Sequence, residues 1–260
     1  MTNEERAKII LGSNAVERLP QKGNRNVGMY VSVGAHKFSD KFARVVCKFY
    51  KGDGSTKGFC EGYMPFHKHD FPKIGALKNP LIQQSLECGI FEVEGSPTPY
   101  SVFQFIEGRM LRDVVEAESP SLSEDEAITI LDDMFRSVWI PLWVAGLRFR
   151  DGHTGNWVLG DDGHAYMIDT EQIRKDAAEF LYNGTSWEQR DKHEKMCLRL
   201  VSGIFADLLN ACGKGIGDTA AKKILAQTEF LAALSVLGRG STDTAQAELE
   251  LKKCISLFFR

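Results

Sequence analysis

The sequence predicts an α+β protein in two lobes, a small β-rich one followed by a larger helical one. Three observations carry this. Residues 1–105 hold short β-branched and aromatic runs separated by Gly, Pro and Ser. From Ser121 onward, apolar residues recur at helical spacing. Within that second part, 147–169 forms a polar loop and a hairpin ending in an acid. At 260 residues the chain is long enough for one large domain or for two lobes sharing a cleft.

Composition narrows the function classes. With 43% hydrophobic and 26% charged residues, a full core is expected. A net charge of −3 gives no general attraction to nucleic acid or to anionic membrane, so neither is an expected partner. Met1-Thr-Asn-Glu-Glu-Arg6 is too charged to open a secretory signal, and no apolar run approaches the roughly 18 residues of a membrane helix. The expectation is a soluble protein without membrane insertion. Six cysteines with no Cys-x-x-Cys pair read as the reduced thiols of a cytosolic environment.

In chain order, 7–11, 28–33 and 43–50 read as strands. In the third, period-two geometry puts Val46, Lys48 and Tyr50 on one face, with Val45, Cys47 and Phe49 on the other. Lys48 is then a lone ammonium amid apolar neighbours, and the bland reading is an edge-strand lysine that deters aggregation or snorkels to water. Glycines and prolines across 51–86 allow only short helices. Two more strands, 88–94 and 100–105, flank a turn at 95–99.

Ser123-Glu-Asp-Glu126 is a capping box, after which Ala127, Ile130, Leu131, Met134, Val138 and Leu142 share one helical face. Pro141 removes an interior hydrogen bond and predicts a kink or an early end. Three further helices are read at 187–212, 218–237 and 242–259, with Met196, Leu200, Ile204 and Leu208 on one stripe of the first.

The hairpin carries chemistry. Asp162-Gly163 between Trp157-Val158-Leu159 and Ala165-Tyr166-Met167-Ile168 predicts a two-residue turn. That register sets Leu159 against Tyr166, Val158 against Met167, Trp157 against Ile168 and Asn156 against Asp169. An amide oxygen and a carboxylate would meet at the open end, oxygen ligands of the kind Mg²⁺ takes alongside waters and phosphates. A second acid, Asp151, precedes Asn156 by five positions.

Phe149-Arg150-Asp151-Gly-His153-Thr-Gly-Asn156, then a hairpin and Ile168-Asp169-Thr170, resembles the catalytic loop and metal-binding strand end of the protein-kinase-like superfamily. Phe149 stands where His is usual, and Thr170-Glu171 where Phe-Gly is usual. The resemblance implies a bilobal kinase-like fold with an N-lobe at 1–105, a hinge at 106–111 and a helical C-lobe at 112–260. It implies ATP and Mg²⁺ as cofactors, Asn156 and Asp169 as metal ligands, and Asp151 as the acid that accepts or orients the acceptor hydroxyl's proton. His153, where a lysine is usual, would touch the γ-phosphate or substrate.

Val45-Val46-Cys47-Lys48 resembles the Val-Ala-Ile-Lys of the same family, whose lysine holds the α- and β-phosphates. Glu61 is the candidate partner of Lys48, with Glu87 second. For the glycine loop over the phosphates the candidates are Gly12-Ser-Asn-Ala15 after the first strand and Gly23-Asn-Arg-Asn-Val-Gly28 before the second. In the hinge alignment Phe103 gates the pocket, while the Gln104 carbonyl and the Ile106 N–H face the base.

The short segment after Asp169 lacks Ala-Pro-Glu and resembles minimal kinases that bacteria deliver into host cells. This implies an atypical protein serine/threonine kinase acting on a protein hydroxyl, with a host protein as one candidate substrate. Its location would be cytoplasmic, or a host cell reached by a route needing no signal peptide. Asp151-x-His153-x-x-Asn156 also resembles small-molecule kinases of the aminoglycoside or choline type. A pseudokinase or a nucleotidyl transferase on the same fold is the third reading.

Overall fold

The computed structural model describes residues 1–20, 26–50, 71–93, 96–117, 120–139, 141–142, 145, 147–149, 153–170, 173–175, 203–204, 207–208, 210–213, 245 and 249. Asp151, Glu61, Glu171, 21–25 and most of the three C-terminal helical segments lie outside them. The chain divides into two compact units, Met1–Ala76 with Gln83–Ile106, and Leu77–Ile82 with Glu107–Arg260.

The first unit opens on helix α1 (Asn3–Leu11), not on the strand expected at 7–11. Thr2 and Glu5 form a capping box, worth about 1 kcal/mol. Ala7, Ile10 and Leu11 are buried at helical spacing. The Ala-Lys-Ile-Ile-Leu run alone has the look of a strand; the cap upstream of it decides for helix. At its end the Gly12 N–H donates to the Ile9 carbonyl at 3.2 Å and the Ser13 N–H to Lys8 at 3.0 Å, a Schellman close with Gly12 at φ +60°.

β1 (Ala15–Arg18), β2 (Asn26–Val33), β3 (Val45–Tyr50), β4 (Ser85–Val93) and β5 (Ser96–Gln104) form one antiparallel sheet in the order β1-β2-β3-β5-β4. A short helix α2 (Phe71–Ala76) precedes β4. The face under α1 packs Ala7, Ile10, Leu11, Tyr30, Val45, Cys47, Phe49 and Val102. On the opposite face Val31, Val46 and Phe103 form a smaller cluster. The alternation expected along β3 is therefore present, and both faces of that strand are buried.

The turn expected at 95–99 is displaced. Val93 pairs with Ser96, so Pro97 and Pro99 lie inside β5 opposite Glu92 and Ile90. The Gln104 N–H points to β4, donating to the Gln84 carbonyl at 2.8 Å. By strand alternation the two prolines lack their donors on the β3 side, beyond the last β3–β5 pair, Phe49 with Tyr100.

In the second unit, β6 (Arg109–Met110), β8 (Trp157–Leu159) and β9 (Ala165–Met167) form a sheet in the order β6-β8-β9, and β7 (Leu147–Phe149) pairs with β10 (Ile173–Lys175). A short helix α3 (Leu111–Val115) follows β6. Helix α4 (Glu124–Asp132) begins at the expected Ser123–Glu126 capping box. It runs into a π-helical turn at Asp133–Trp139. All six residues of the expected apolar face are buried.

Pro141 lacks the N–H that the Ser137 carbonyl would accept in an α-helix, and the Asn79 side-chain amide donates to that carbonyl instead. Asn79 thereby ties 77–82 to this unit. The adjoining segment continues the tie: the Met167 N–H donates to the Leu81 carbonyl at 2.8 Å, and Ile82 bridges Met167 in parallel. Among the described C-terminal residues Ile204 and Leu208 are buried, as the stripe predicts. No helix among the described residues is long and apolar enough to cross a membrane.

Candidate functional site

The candidate residues fall on two structural pieces, one in each unit. In the first unit Lys48 lies on β3, flanked by β2 and β5, so it is not an edge-strand lysine. It is only 7% exposed, and its ammonium sits 5.0 Å from the Phe103 ring centroid. A cation over an aromatic face is worth about 2 kcal/mol when desolvated. Lys48 pairs across the ladder with Ser101, whose fully buried hydroxyl has no hydrogen-bond partner among the described residues.

Glu87 does not serve Lys48. It pairs with Val102, on the α1 face, where it holds Lys37 Nζ at 2.6 Å and the Tyr100 hydroxyl at 2.7 Å. Burial and the bond to Glu87 push the Tyr100 hydroxyl well above its ordinary pKa. A bulge between Ser85 and Glu87 puts Glu87 on that face. Glu61 lies outside the described residues.

Gly12 is not part of a glycine loop following a strand. It caps α1, its N–H is committed to Ile9, and its left-handed backbone is what the helix terminus requires. Of the second candidate loop only Asn26, Val27 and Gly28 are described, and they belong to β2. Phe103 is fully buried and Ile106 is half-buried. The Gln104 carbonyl accepts from Gln83 Nε2 at 2.9 Å, so one of its lone pairs is already engaged.

In the second unit the hairpin register differs by one residue from expectation. Trp157 pairs with Met167, Val158 with Tyr166 and Leu159 with Ala165. The Gly160 N–H donates to the His164 carbonyl at 2.9 Å and the Gly163 N–H to the Gly160 carbonyl at 3.0 Å. The loop is thus the three residues Asp161, Asp162 and Gly163, with Gly163 left-handed at φ +82°. Asp162 selects this longer loop: its carboxylate accepts from the His164 N–H at 3.1 Å and from the Tyr166 hydroxyl at 2.6 Å. The Tyr166 bond, with the His164 N–H, holds the Asp162 carboxyl below its ordinary pKa and pushes the Tyr166 hydroxyl up to about 12.

The consequence falls on the two expected metal ligands. Asn156 opposes Ile168, whose N–H donates to the Asn156 carbonyl at 2.9 Å, and Asp169 is the next residue. Asp169 leaves the strand at φ +61°, a left-handed backbone rare outside glycine. Strand alternation therefore stops governing its side chain, and direct opposition of Asn156 and Asp169 is replaced by adjacency along the chain's exit. Asn156 is 6% exposed; the hydroxyl of Thr170, fully buried beside Asp169, has no hydrogen-bond partner among the described residues.

His153 caps the 3₁₀ turn Thr154–Asn156, its Nδ1 accepting from the Gly155 N–H at 3.0 Å. Arg112 on α3 donates to the same nitrogen at 3.2 Å. Sequence reasoning missed Arg112, and the one available signal was Gly155, a glycine that no turn type demands. It also missed Asp133, an acid bordering the apolar face of α4. Asp133 is 6% exposed, and its Oδ2 accepts from His164 Nδ1 at 3.0 Å and from the Ala165 N–H at 2.9 Å. Together Asp133 and the Leu81 carbonyl satisfy the outward N–H groups of β9. The bond to Asp133 and its charge hold His164 above the ordinary imidazole pKa.

Among the described residues no three His, Cys, Asp or Glu side chains cluster into a metal cage. A Mg²⁺ ion held mainly by phosphates and waters needs only one or two protein oxygens, so Asn156 and Asp169 have the donor chemistry for that case. No family model matches the chain, and no curated protein matches it.

Proposed function

We propose that this chain is an ATP-dependent phosphotransferase that passes the γ-phosphate to a hydroxyl, as a compact bilobal protein serine/threonine kinase of atypical type. The observation that carries the reading is the strained Asp169, at φ +61°, placed directly after the residue that closes onto buried Asn156. Backbone strain of this kind costs about 1–3 kcal/mol and persists where surrounding structure and function require it. The buried central-strand Lys48 supports the same reading from the first unit.

In this reading Asn156 and Asp169 hold Mg²⁺, which supplies charge neutralisation on the triphosphate. Lys48 binds the α- and β-phosphates, with Glu61 as its carboxylate partner. Phe103, Gln104 and Ile106 border the adenine. Asp151 takes the proton of the attacking hydroxyl, and His153 donates a hydrogen bond toward the γ-phosphate or the acceptor.

Purified protein with Mg²⁺ and γ-labelled ATP should label itself or a protein in a lysate, and Asp169→Ala should abolish the label. No labelling across lysates would remove the protein-substrate reading. Turnover stimulated only by amino-alcohols or aminoglycosides would select a small-molecule kinase, which the Asp151-x-His153-x-x-Asn156 pattern favours as the second reading. A gain of AMP mass in place of phosphate would select nucleotidyl transfer.

A further inference from the structure

We infer that Arg112 is the positioning residue of the 153–156 turn, holding His153 in the tautomer that donates through Nε2, and that residue 155 is glycine in order to admit it. The part of this assignment that concerns catalysis rests on the phosphotransfer reading; the part that concerns the ring does not.

Two donors converge on one nitrogen. The Gly155 N–H at 3.0 Å and Arg112 Nη2 at 3.2 Å both approach His153 Nδ1. A guanidinium never accepts and a backbone N–H never accepts, so Nδ1 is the acceptor and the ring's single proton sits on Nε2. Protonating Nδ1 would set three donors against one another. The arrangement therefore favours the Nε2–H tautomer, which leaves that edge of the ring a hydrogen-bond donor.

Gly155 explains how Arg112 gets there. A Cβ on residue 155 would stand 2.5 Å from the Arg112 Cζ and 2.9 Å from its Nε, inside any real carbon contact. Gly155 is not left-handed, so its backbone would tolerate alanine, and the added methyl would displace the guanidinium. The guanidinium lies flush across that Cα, brought there by α3, which β6 delivers beside β8. Among the described residues no carboxylate pairs with Arg112, so its guanidinium brings a positive charge to the Nδ1 edge of the ring. Where a cationic lysine would serve both purposes with one side chain, here donation and charge are divided between His153 and Arg112.

The test has a spectroscopic arm and a kinetic arm. Long-range ¹H–¹⁵N correlation of the His153 ring, at about pH 8.5 and so well above the ordinary imidazole pKa of about 6.5, should show Nε2–H in the wild type. Arg112→Ala leaves the Gly155 N–H on Nδ1, so Nε2–H should persist there while the Nδ1 resonance shifts downfield with the loss of its second donor. A wild-type ring protonated on Nδ1, or an Arg112→Ala ring whose Nδ1 resonance matches the wild type, overturns the assignment.

In phosphotransfer, Arg112→Ala and Gly155→Ala should each lower kcat by about 10–100-fold with KM for ATP nearly unchanged, the size typical of groups that orient a ligand or reacting residue. The double variant should be no worse than the poorer single, because both remove the same contact. Losses that multiply, or a fall confined to KM, count against it. A wild type inert toward every acceptor removes the phosphotransfer reading, and the ring spectrum then decides the Arg112 assignment by itself.

Discussion

Ile168 donates its N–H to the Asn156 carbonyl at 2.9 Å, and this single bond sets where the hairpin ends and where Asp169 begins. The next backbone torsion, φ +61° at Asp169, turns the chain out of the sheet. Asp169 thus pays a conformational penalty for its place.

That penalty is measurable. Asp169→Gly and Asp169→Ala delete the same carboxylate, but only alanine carries a Cβ into the left-handed region, at a cost of about 1 kcal/mol. Urea unfolding should find the glycine variant more stable than the alanine variant by about that amount, while both lose phosphotransfer. Equal stabilities would mean that the backbone at 169 is not left-handed in solution.

Gly108 and Gly163 are both left-handed glycines, at φ +140° and φ +82°, yet alanine should affect them unequally. A Cβ on Gly163 meets nothing within 4 Å, whereas one on Gly108 would stand 2.9 Å from both the Leu159 carbonyl carbon and the Gly160 Cα. Gly163→Ala should cost about 1 kcal/mol, the backbone strain alone. Gly108→Ala should cost about 3 kcal/mol, because β8 must move as well. Denaturant midpoints compare them directly, and equal losses would contradict the close approach of residue 108 to β8.

The His164–Asp133 contact predicts a pH dependence with a definite sign. The folded-state pKa of His164 is raised, so its contribution is full below the ordinary imidazole value and is lost as pH rises through the elevated one. The Tm difference between wild type and His164→Gln should therefore shrink from about pH 5.5 to about pH 9. His164 is half exposed, so solvent screens this contact and the difference should be small. Asp133→Ala should cost more, about 3 kcal/mol, since it strands the buried Ala165 N–H along with the histidine. A difference that grows with pH would reverse the assignment.

Lys48→Met preserves a long unbranched stem in a buried position and removes the charge. The melting temperature should fall modestly at most, since the variant keeps the buried stem and loses the ammonium's contact with the Phe103 ring. Nucleotide-induced thermal stabilisation should fall sharply, and phosphotransfer should drop by at least about 100-fold, the loss of about 2.7 kcal/mol of transition-state stabilisation. An unchanged nucleotide shift would remove Lys48 from the phosphate site.

Local signals were legible where short-range chemistry decides structure. The Ser123–Glu126 box starts α4, the apolar face behind it is buried, and β3 alternates as its residues require. The hairpin was legible as a hairpin but not in register, because Asp162 bonds His164 and Tyr166 and so selects a three-residue loop over the two-residue turn that Asp162-Gly163 suggests. The strand read at 7–11 failed for a similar reason, since Thr2 and Glu5, outside the apolar run, cap it as a helix. Gly12 follows from that error: a glycine after a strand suggests a loop, whereas after a helix it is the terminus itself.

By itself the sequence determined that β3 alternates, which face of α4 is buried and where α4 begins, since periodicity and capping act within a few residues. Only the tertiary structure decided what reaches those segments from afar. Arg112 meets His153 across 41 positions of chain, Asp133 meets Ala165 across 32, and Asn79 meets Ser137 across 58. Such contacts leave no periodic trace. Each satisfies a polar group that folding has withdrawn from water, so its partner is chosen by proximity in the folded chain and not by spacing along it.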